Sequence, residues 1–534
     1  QRISETIQTY TQIEIDPDQL RFDLTPEPGM RFKDVDLPVS QTLDIHISDV
    51  FVELDMMALF RGQLAISRIT VESPKLILAE SREKPSESGV STGHQSVAYR
   101  YPKKAIKDLF ALFPDSQQTL ELDFKNVKTD YFGTMDGSLL VSTVSQTIVL
   151  NADIGNLDLT REDFPEDAIP SEIHLDRLRA TTGAVRVRLS PEEGINGRIR
   201  FSGLNLTSGE LPEKNIVSEA LQVRFFLSEN RITVNLEPTV LTYPRGTVSV
   251  AFRDDRQAGS SRILFSGKDI DITQAREATL AVAGPNEVVD RLFDILHAGT
   301  AENITVEFSN DTLTDLFDGK KMVLKGNAKS ARVKIPETPL FAEDVDGNAR
   351  MENGILSITA TRGIAESHEL HDGWLEIGLI GGQYFKGEFS LTADLANVPA
   401  TLISLLPDTG LAREMAKVTD TRGRVATRLG LGMGRGRNDL EVNVKTEAFS
   451  GTGRYARIPF PVTISRGEFR YEDQRLQLNQ FSGRIGNSSF DRLEAHVDFS
   501  RDNFLRLSVG KGRVNLAETL PWLQSFPSVR QAML

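Results

Sequence analysis

The chain has no cysteine, which removes disulfides, thiolate-bound zinc and thiol chemistry. Trp and Tyr are scarce, at two and eight in 534 residues. That is too few for the paired aromatic girdles of an outer-membrane barrel. No run of about 18 apolar residues occurs, so no membrane-spanning helix is expected within these residues. Cations are in deficit: 61 Lys and Arg stand against 75 Asp and Glu, a net charge of −14. This balance argues against nucleic acid, whose phosphates demand clustered cations. A Gly-x-Ser-x-Gly nucleophile elbow is also lacking, as is any Pro/Ser linker that would divide the chain.

What the sequence has is repetition. Gly347, Met351, Leu356 and Gly363 reappear 120 positions on as Gly467, Tyr471, Leu476 and Gly483. The alternating run Leu375, Ile377, Leu379 returns as Leu493, Ala495, Val497, Phe499, and the apolar helix signal at Val398–Leu406 returns at Leu516–Leu523. A looser copy begins at Glu229-Asn230-Arg231-Ile232, continues through Val248, Val250 and Phe252, and closes at Val288–Leu296. A fixed period of this length decides the architecture: an array of β-units, each ended by a helix. The expected units are 1–115, 116–300, 301–410 and 411–534.

Period-2 alternation marks the strands. It is clearest at Val50, Val52, Leu54, which alternate with Phe51, Glu53 and Asp55 before a turn at Met56–Gly62 and a return through Leu64, Ile66, Ile69 and Val71. Residues 80–101 are polar and unpatterned and read as a mobile surface loop. Ile106, Leu109, Phe110 and Phe113 fall at helical spacing. More than twenty strands against about four short helices exclude α/β layers. The expected fold is mainly β: a long, twisted antiparallel sheet curled into an elongated open groove of repeated β-units. An apolar face left uncovered by helices marks a binding surface. Its expected lining is Val50, Val52, Leu54, Leu64, Ile66, Ile304, Val306, Phe308, Leu375, Ile377, Leu379, Leu493, Val497, Leu505 and Leu507. On this reading the face at Ile377 is open, and a carboxylate placed there reaches water.

The candidate chemical motifs have plainer readings. His368-x-x-His371 shares a face only on a helix, and its setting between Gly363 and Gly373 reads as a hairpin loop. Loss of both histidines is then expected to leave stability unaltered. Gly430-Leu-Gly432-Met-Gly434-Arg-Gly436 lacks the Lys-Ser/Thr of a phosphate loop and reads as a turn between strands. Acidic residues such as Glu121, Asp123, Glu494 and Asp498 alternate with apolar ones, the pattern of a solvated sheet face. No catalytic, metal or cofactor site follows, and the chain reads as a non-enzyme.

The run from Asp49 to Leu78, with its preceding Gly29–Leu37, resembles the N-terminal signature of AsmA-like envelope proteins. The segments Gly347–Gly363 and Gly467–Gly483 resemble the C-terminal modules of the YhdP branch of that family, which also includes TamB-type proteins. The resemblance implies a periplasmic protein anchored in the bacterial inner membrane, similar to bridge-like lipid transfer proteins whose groove carries phospholipid acyl chains to the outer membrane. The chain opens at Gln1 and stops within an expected helix, so the anchor and distal end are expected to lie beyond it. Phospholipid or another acyl-chain lipid is the expected ligand, with outer-membrane or periplasmic proteins as further partners. The rival reading is a structural or chaperone role in outer-membrane protein assembly, in which sheet edges capture strands by β-augmentation.

Overall fold

The structure is a computed structural model that describes residues 21–525, apart from 24–27, 41–42, 62–65, 79–118, 128–131, 164–173, 209–214, 283–286, 312–315, 317–318, 381–383, 435–439 and 501–503. The expected loop at 80–101, the helical pattern at Ile106–Phe113 and Leu64 lie outside the described residues. The fold is mainly β with a few short helices, as the alternation requires. The chain forms two compact units. The first is Gln1–Ser266 with Ala281–Gly284 and Ser309–Leu316; the second is Gly267–Leu280, Pro285–Phe308 and Phe317–Leu534. The fourfold division above follows sequence repeats, and this twofold division follows contacts.

In the first unit the strands are β1 (Arg21–Asp23), β2 (Gly29–Ser40), β3 (Leu43–Leu54), β4 (Ile66–Leu78), β5 (Thr119–Val127) and β6 (Phe132–Ser142). They continue through β7 (Thr147–Thr160), β8 (Arg177–Ser190), β9 (Gly194–Thr207), β10 (Ile216–Leu227), β11 (Arg231–Tyr243), β12 (Gly246–Asp255) and the start of β13 (Ser260–Asp271). One short helix, α1 (Met56–Phe60), occupies the expected turn after β3, with Asp55 accepting from the Met57 and Ala58 amides. From β1 to β12 each strand pairs with the next. The pairing is antiparallel throughout except at β4 and β5, which run parallel from Arg68↔Glu121 to Glu72↔Lys125. A parallel pair needs a crossover connection of a dozen or more residues, and alternation alone carries no sign of strand direction.

The second unit begins with the end of β13 and continues through most of α2 (Ile272–Val282), α3 (Glu287–Ile295) and most of β14 (Leu296–Asn310). Next come β15 (Val323–Lys334), β16 (Phe341–Glu352), β17 (Ile355–Ala365), β18 (His368–Gly378), β19 (Phe385–Asp394), α4 (Val398–Leu405) and α5 (Gly410–Met415). The chain ends in β20 (Val418–Arg422), β21 (Arg424–Met433), β22 (Glu441–Thr446), β23 (Gly451–Tyr455), β24 (Ile458–Glu472), β25 (Arg475–Ile485), β26 (Ser488–Asp498), β27 (Phe504–Arg513) and α6 (Leu516–Leu523). The 120-residue repeat is structural: Met351 pairs with Leu356 as Tyr471 pairs with Leu476, and β18–β19–α4 corresponds to β26–β27–α6. Between the copies the regular succession breaks. β19 pairs β21, β22 pairs the C-terminal part of β24, and β20 and β23 form a side ladder on its N-terminal part. The strands belong to one long mixed sheet that is not closed into a barrel among the described residues.

Bends inside the strands curl the sheet. Asp34, Ser73, Asn126, Ser330, Asp344, Gln480 and Arg492 all carry φ between 48° and 55° in mid-strand. A residue in this left-handed region breaks the ladder and bends the strand, as β-bulges do. The amide freed at the bend is then taken up by the neighbouring strand. Asn126 N–H donates to Asp136 Oδ1 at 2.6 Å, and Ser330 N–H to Asp346 Oδ1 at 2.9 Å. The Ser330 amide and the Arg362 guanidinium hold the Asp346 carboxyl below its ordinary range. Asp, Asn and Ser suit these sites because their short polar side chains tolerate the left-handed region.

Candidate functional site

The strand registers assemble the alternating aliphatics into continuous rows. In the first unit one row runs Met30–Val52–Ile69–Leu122–Leu139–Leu150–Val187–Gly197–Phe225–Val234–Phe252, each residue directly opposite the next. A second runs beside it from Phe32 and Val50 through Val71, Phe124, Val185 and Val223 to Leu236 and Val250. Eleven strands, β2 to β12, thus present one apolar face.

That face is more fully buried at one end than at the other. Met30, Phe32, Val52, Val71, Phe124 and Ala152 are buried among partly covered Val50, Ile69, Leu122, Leu139 and Leu150, whereas on β8 to β12 Val185, Val187, Ile199, Val223, Phe225, Leu236 and Val250 are all only partly covered. Among the described residues, the buried clusters on β2 to β7 are made of strand residues. Glycines hold aromatic rings flat against this face. A Cβ on Gly197 would stand 2.2 Å from Cζ of Phe225, and one on Gly137 would stand 2.6 Å from Cζ of Phe124.

In the second unit the equivalent row is Val306–Leu324–Met351–Leu356–Ile377–Phe385–Met433. It is covered by Val288 and Leu292 of α3, Leu402 and Leu405 of α4, and Leu411 of α5. Met351, Leu356, Leu379, Phe385 and Leu411 are at most 1% exposed, so this level is a filled core. The Arg291 guanidinium pins α3 to the carbonyls of Gly378 and Leu379.

Beyond α4 the face opens into a pocket of about 430 Å³. Leu429, Val444, Phe469, Leu476, Phe481 and Leu493 line its sheet side, and Val398, Pro399, Leu402 and Leu405 of α4 line the other. The break between β22 and β23 puts Phe449 into the pocket wall, 5.6 Å from the Phe481 ring and 6.4 Å from that of Phe469. Its size suits a small-molecule or chain-like ligand. Polar groups on the wall are satisfied within the protein: Thr427 and Thr446 hydroxyls bond each other at 3.2 Å, and Thr421 donates to the Leu395 carbonyl at 2.6 Å. At the rim, burial raises the Glu414 carboxyl, but hydrogen bonds from Lys417, Tyr455 and Arg457 outweigh it and bring it to about 2. Burial and Glu414 push the Tyr455 hydroxyl up to about 12.

His368 stands on the pocket wall and also lines a smaller apolar cavity of about 60 Å³ beside it. It opens strand β18 and is 5% exposed, so the hairpin-loop reading is overturned. Its Nδ1 accepts from the Asp394 amide at 3.2 Å, which leaves Nε2–H to donate to Thr401 Oγ1 at 3.1 Å. Thr401 in turn donates to the Asn397 carbonyl. The imidazole thus ties β18 to the start of α4. Burial lowers its pKa, outweighing the raising effect of Asp394 and Glu366. One repeat on, Ser488 Oγ accepts from the Asn515 amide at 3.0 Å and makes the same strand-to-helix tie. His371 is exposed on the same strand and bonds Thr392 at 2.6 Å.

The expected lining residues therefore fall into three environments. Val52, Leu54, Leu375, Ile377 and Leu379 are buried in filled core. Val50, Ile66, Ile304, Val306, Phe308, Leu493 and Val497 are partly covered. Leu505 and Leu507 on β27 are 58% and 59% exposed. The open-groove reading at Ile377 is corrected by this packing, because α3 to α5 close that level. Gly430 and Gly432 lie within β21 and not in a turn. The outward acidic residues pair as a solvated face should, Arg68 with Glu121 and Asp123, and Arg475 with Asp498. Sequence reading missed the pocket residues on β21 to β25 because the sheet breaks there, although the Phe469 and Phe481 alternation carried the signal. Among the described residues no group of three or more His, Asp and Glu is placed to hold a metal ion. No family model, curated protein or solved structure matches this chain.

Proposed function

We propose that this chain is a lipid-binding protein that holds acyl chains along its apolar sheet face and moves phospholipid between the inner and outer membranes of a bacterial envelope, working in the periplasm. The observation that carries the reading is the apolar row across eleven strands, left partly uncovered from β8 to β12. An apolar surface of that extent marks a binding site in a protein that is otherwise acidic and polar outside. Each CH₂ taken from water contributes about 0.8 kcal/mol. A long chain is then held firmly in total, yet it can slide between equivalent strands. The pocket beside α4 supplies a second, more enclosed seat for a chain. The resemblance of Asp49–Leu78 and of the 120-residue repeats to AsmA-like proteins supports the same reading, including the inner-membrane anchor.

Mass spectrometry of organic extracts from the purified, folded chain tests it. Phospholipid or fatty acyl species in stoichiometric amount are expected. Clean extracts, together with failure to take up added phospholipid, would overturn the reading.

A further inference from the structure

The face opposite the apolar row carries a cluster of cations that the net charge of −14 conceals. On β8, β9 and β10, Arg186, Arg188, Arg198, Arg200 and Arg224 alternate with Val185, Val187, Ile199 and Val223, so all five project from one side. Register makes the cluster tighter. Arg186 is directly opposite Arg198, and Arg198 is directly opposite Arg224. All five are exposed.

Like charges directly opposite one another destabilise a sheet, so folding gives no reason for this ladder. Neutralisation within the protein is partial. Arg224 pairs with Glu237, Arg188 reaches Glu193 at 3.8 Å, and Arg200 donates to Gln222. Arg186 and Arg198 have no ion pair among the described residues. On its β7 side the ladder borders three carboxylates, Asp123, Asp136 and Asp153, which line one concavity with Arg186; Asp153 is directly opposite Asp136 and Ala184.

We propose that this arginine ladder docks the protein onto an anionic phospholipid membrane. Every cation in it is arginine, whose planar fork matches phosphate oxygens in a bidentate way. Strands about 4.8 Å apart set the guanidinium groups in a close row, which concentrates positive charge where headgroup phosphates can meet it. The proposal extends the lipid-binding reading, since the same three strands carry headgroup contacts on one face and the apolar row on the other. It stands separately from that reading in its test.

The test is co-sedimentation of the full chain with vesicles of phosphatidylglycerol and phosphatidylethanolamine, and with phosphatidylcholine vesicles as the neutral comparison. Binding is expected to the anionic vesicles alone and to fade at 0.5 M salt, where exposed charges are screened. Arg186→Gln with Arg198→Gln removes two like charges that stand directly opposite each other and hold no ion pair among the described residues, so folding is unharmed or improved. Binding to anionic vesicles should weaken about thirtyfold, which corresponds to about 1 kcal/mol for each arginine near a charged membrane. Extracted lipid should be unchanged in the double variant, which separates docking from groove occupancy. Equal binding by wild type and variant, salt-resistant binding, or no vesicle binding by wild type would each overturn the proposal. Salt-sensitive capture by poly-glutamate in place of vesicles would point to an acidic protein partner instead. Because salt and vesicle composition are also varied on the wild-type chain, a variant that failed to fold would not shield the proposal.

Discussion

At the scale of the residue, His368 and Ile377 make opposed demands on their surroundings. The imidazole is neutral because burial disfavours its charged form, and protonating Nδ1 would set two donors against each other at the Asp394 amide. A base whose folded pKa lies below its ordinary value of 6.5 contributes full stability above that pH, and the contribution falls as pH drops below it. Thermal melting of the wild type should therefore decline between pH 7 and pH 5, before the carboxylates titrate. In His368→Asn, which keeps an acceptor for the amide and does not titrate, this component should vanish; identical pH profiles would contradict the assignment. Ile377 lies between Leu356 and Phe385 under the helices. Ile377→Asp buries an unpaired charge and should cost about 4 kcal/mol or more, unfolding the second unit. Val497→Asp, at the corresponding row next to exposed Leu505, should cost only about 1 kcal/mol. Chemical denaturation of the two variants checks the contrast, and equal losses would remove the distinction between filled and open levels.

At the scale of the element, alternation made nearly every strand legible, because one face of each must turn away from water. The repeat made the equivalence of the β16–β17 and β24–β25 hairpins legible, while their registers, Met351 opposite Leu356 and Tyr471 opposite Leu476, came from the structure. The cover over those strands was not legible. Helices α3 to α5 are short, and nothing in a local pattern says which strands a helix will lie upon. His368 was misread for a related reason: Glu366, at φ 55°, makes the turn, so the histidine begins the next strand. The glycines show how the same residue serves two environments. In Gly197→Ala the added Cβ meets the Phe225 ring, which can swing toward the open face. The melting temperature should change little while bound acyl chain falls. In Gly347→Ala the Cβ would stand 2.4 Å from the Thr359 carbonyl oxygen, a backbone atom that cannot step aside, and a loss of about 1–3 kcal/mol is expected. Comparable stability losses in the two variants would show that the first unit is packed as tightly as the second.

At the scale of the molecule, each unit carries part of the sheet with one apolar face, and the units differ in how that face is covered. In the first it holds buried clusters at β2 to β7 and is only partly covered from β8 to β12. In the second it passes from a core closed by three helices, through the pocket at α4, to the exposed Leu505 and Leu507 of β27. The central claim is that acyl chains occupy the partly open face. Site-specific photocrosslinking in cells tests it most directly, with a photoreactive residue placed at Val223, Val250 or Ala251 of the Arg186→Gln, Arg198→Gln chain, which removes docking through the face that Ala251 shares with the arginine ladder. Val250 and Ala251 are neighbours on β12 that point to opposite faces. Lipid adducts are expected at Val223 and Val250 and not at Ala251. Adducts equally frequent at all three positions, or at none of them, would contradict a lipid-carrying face.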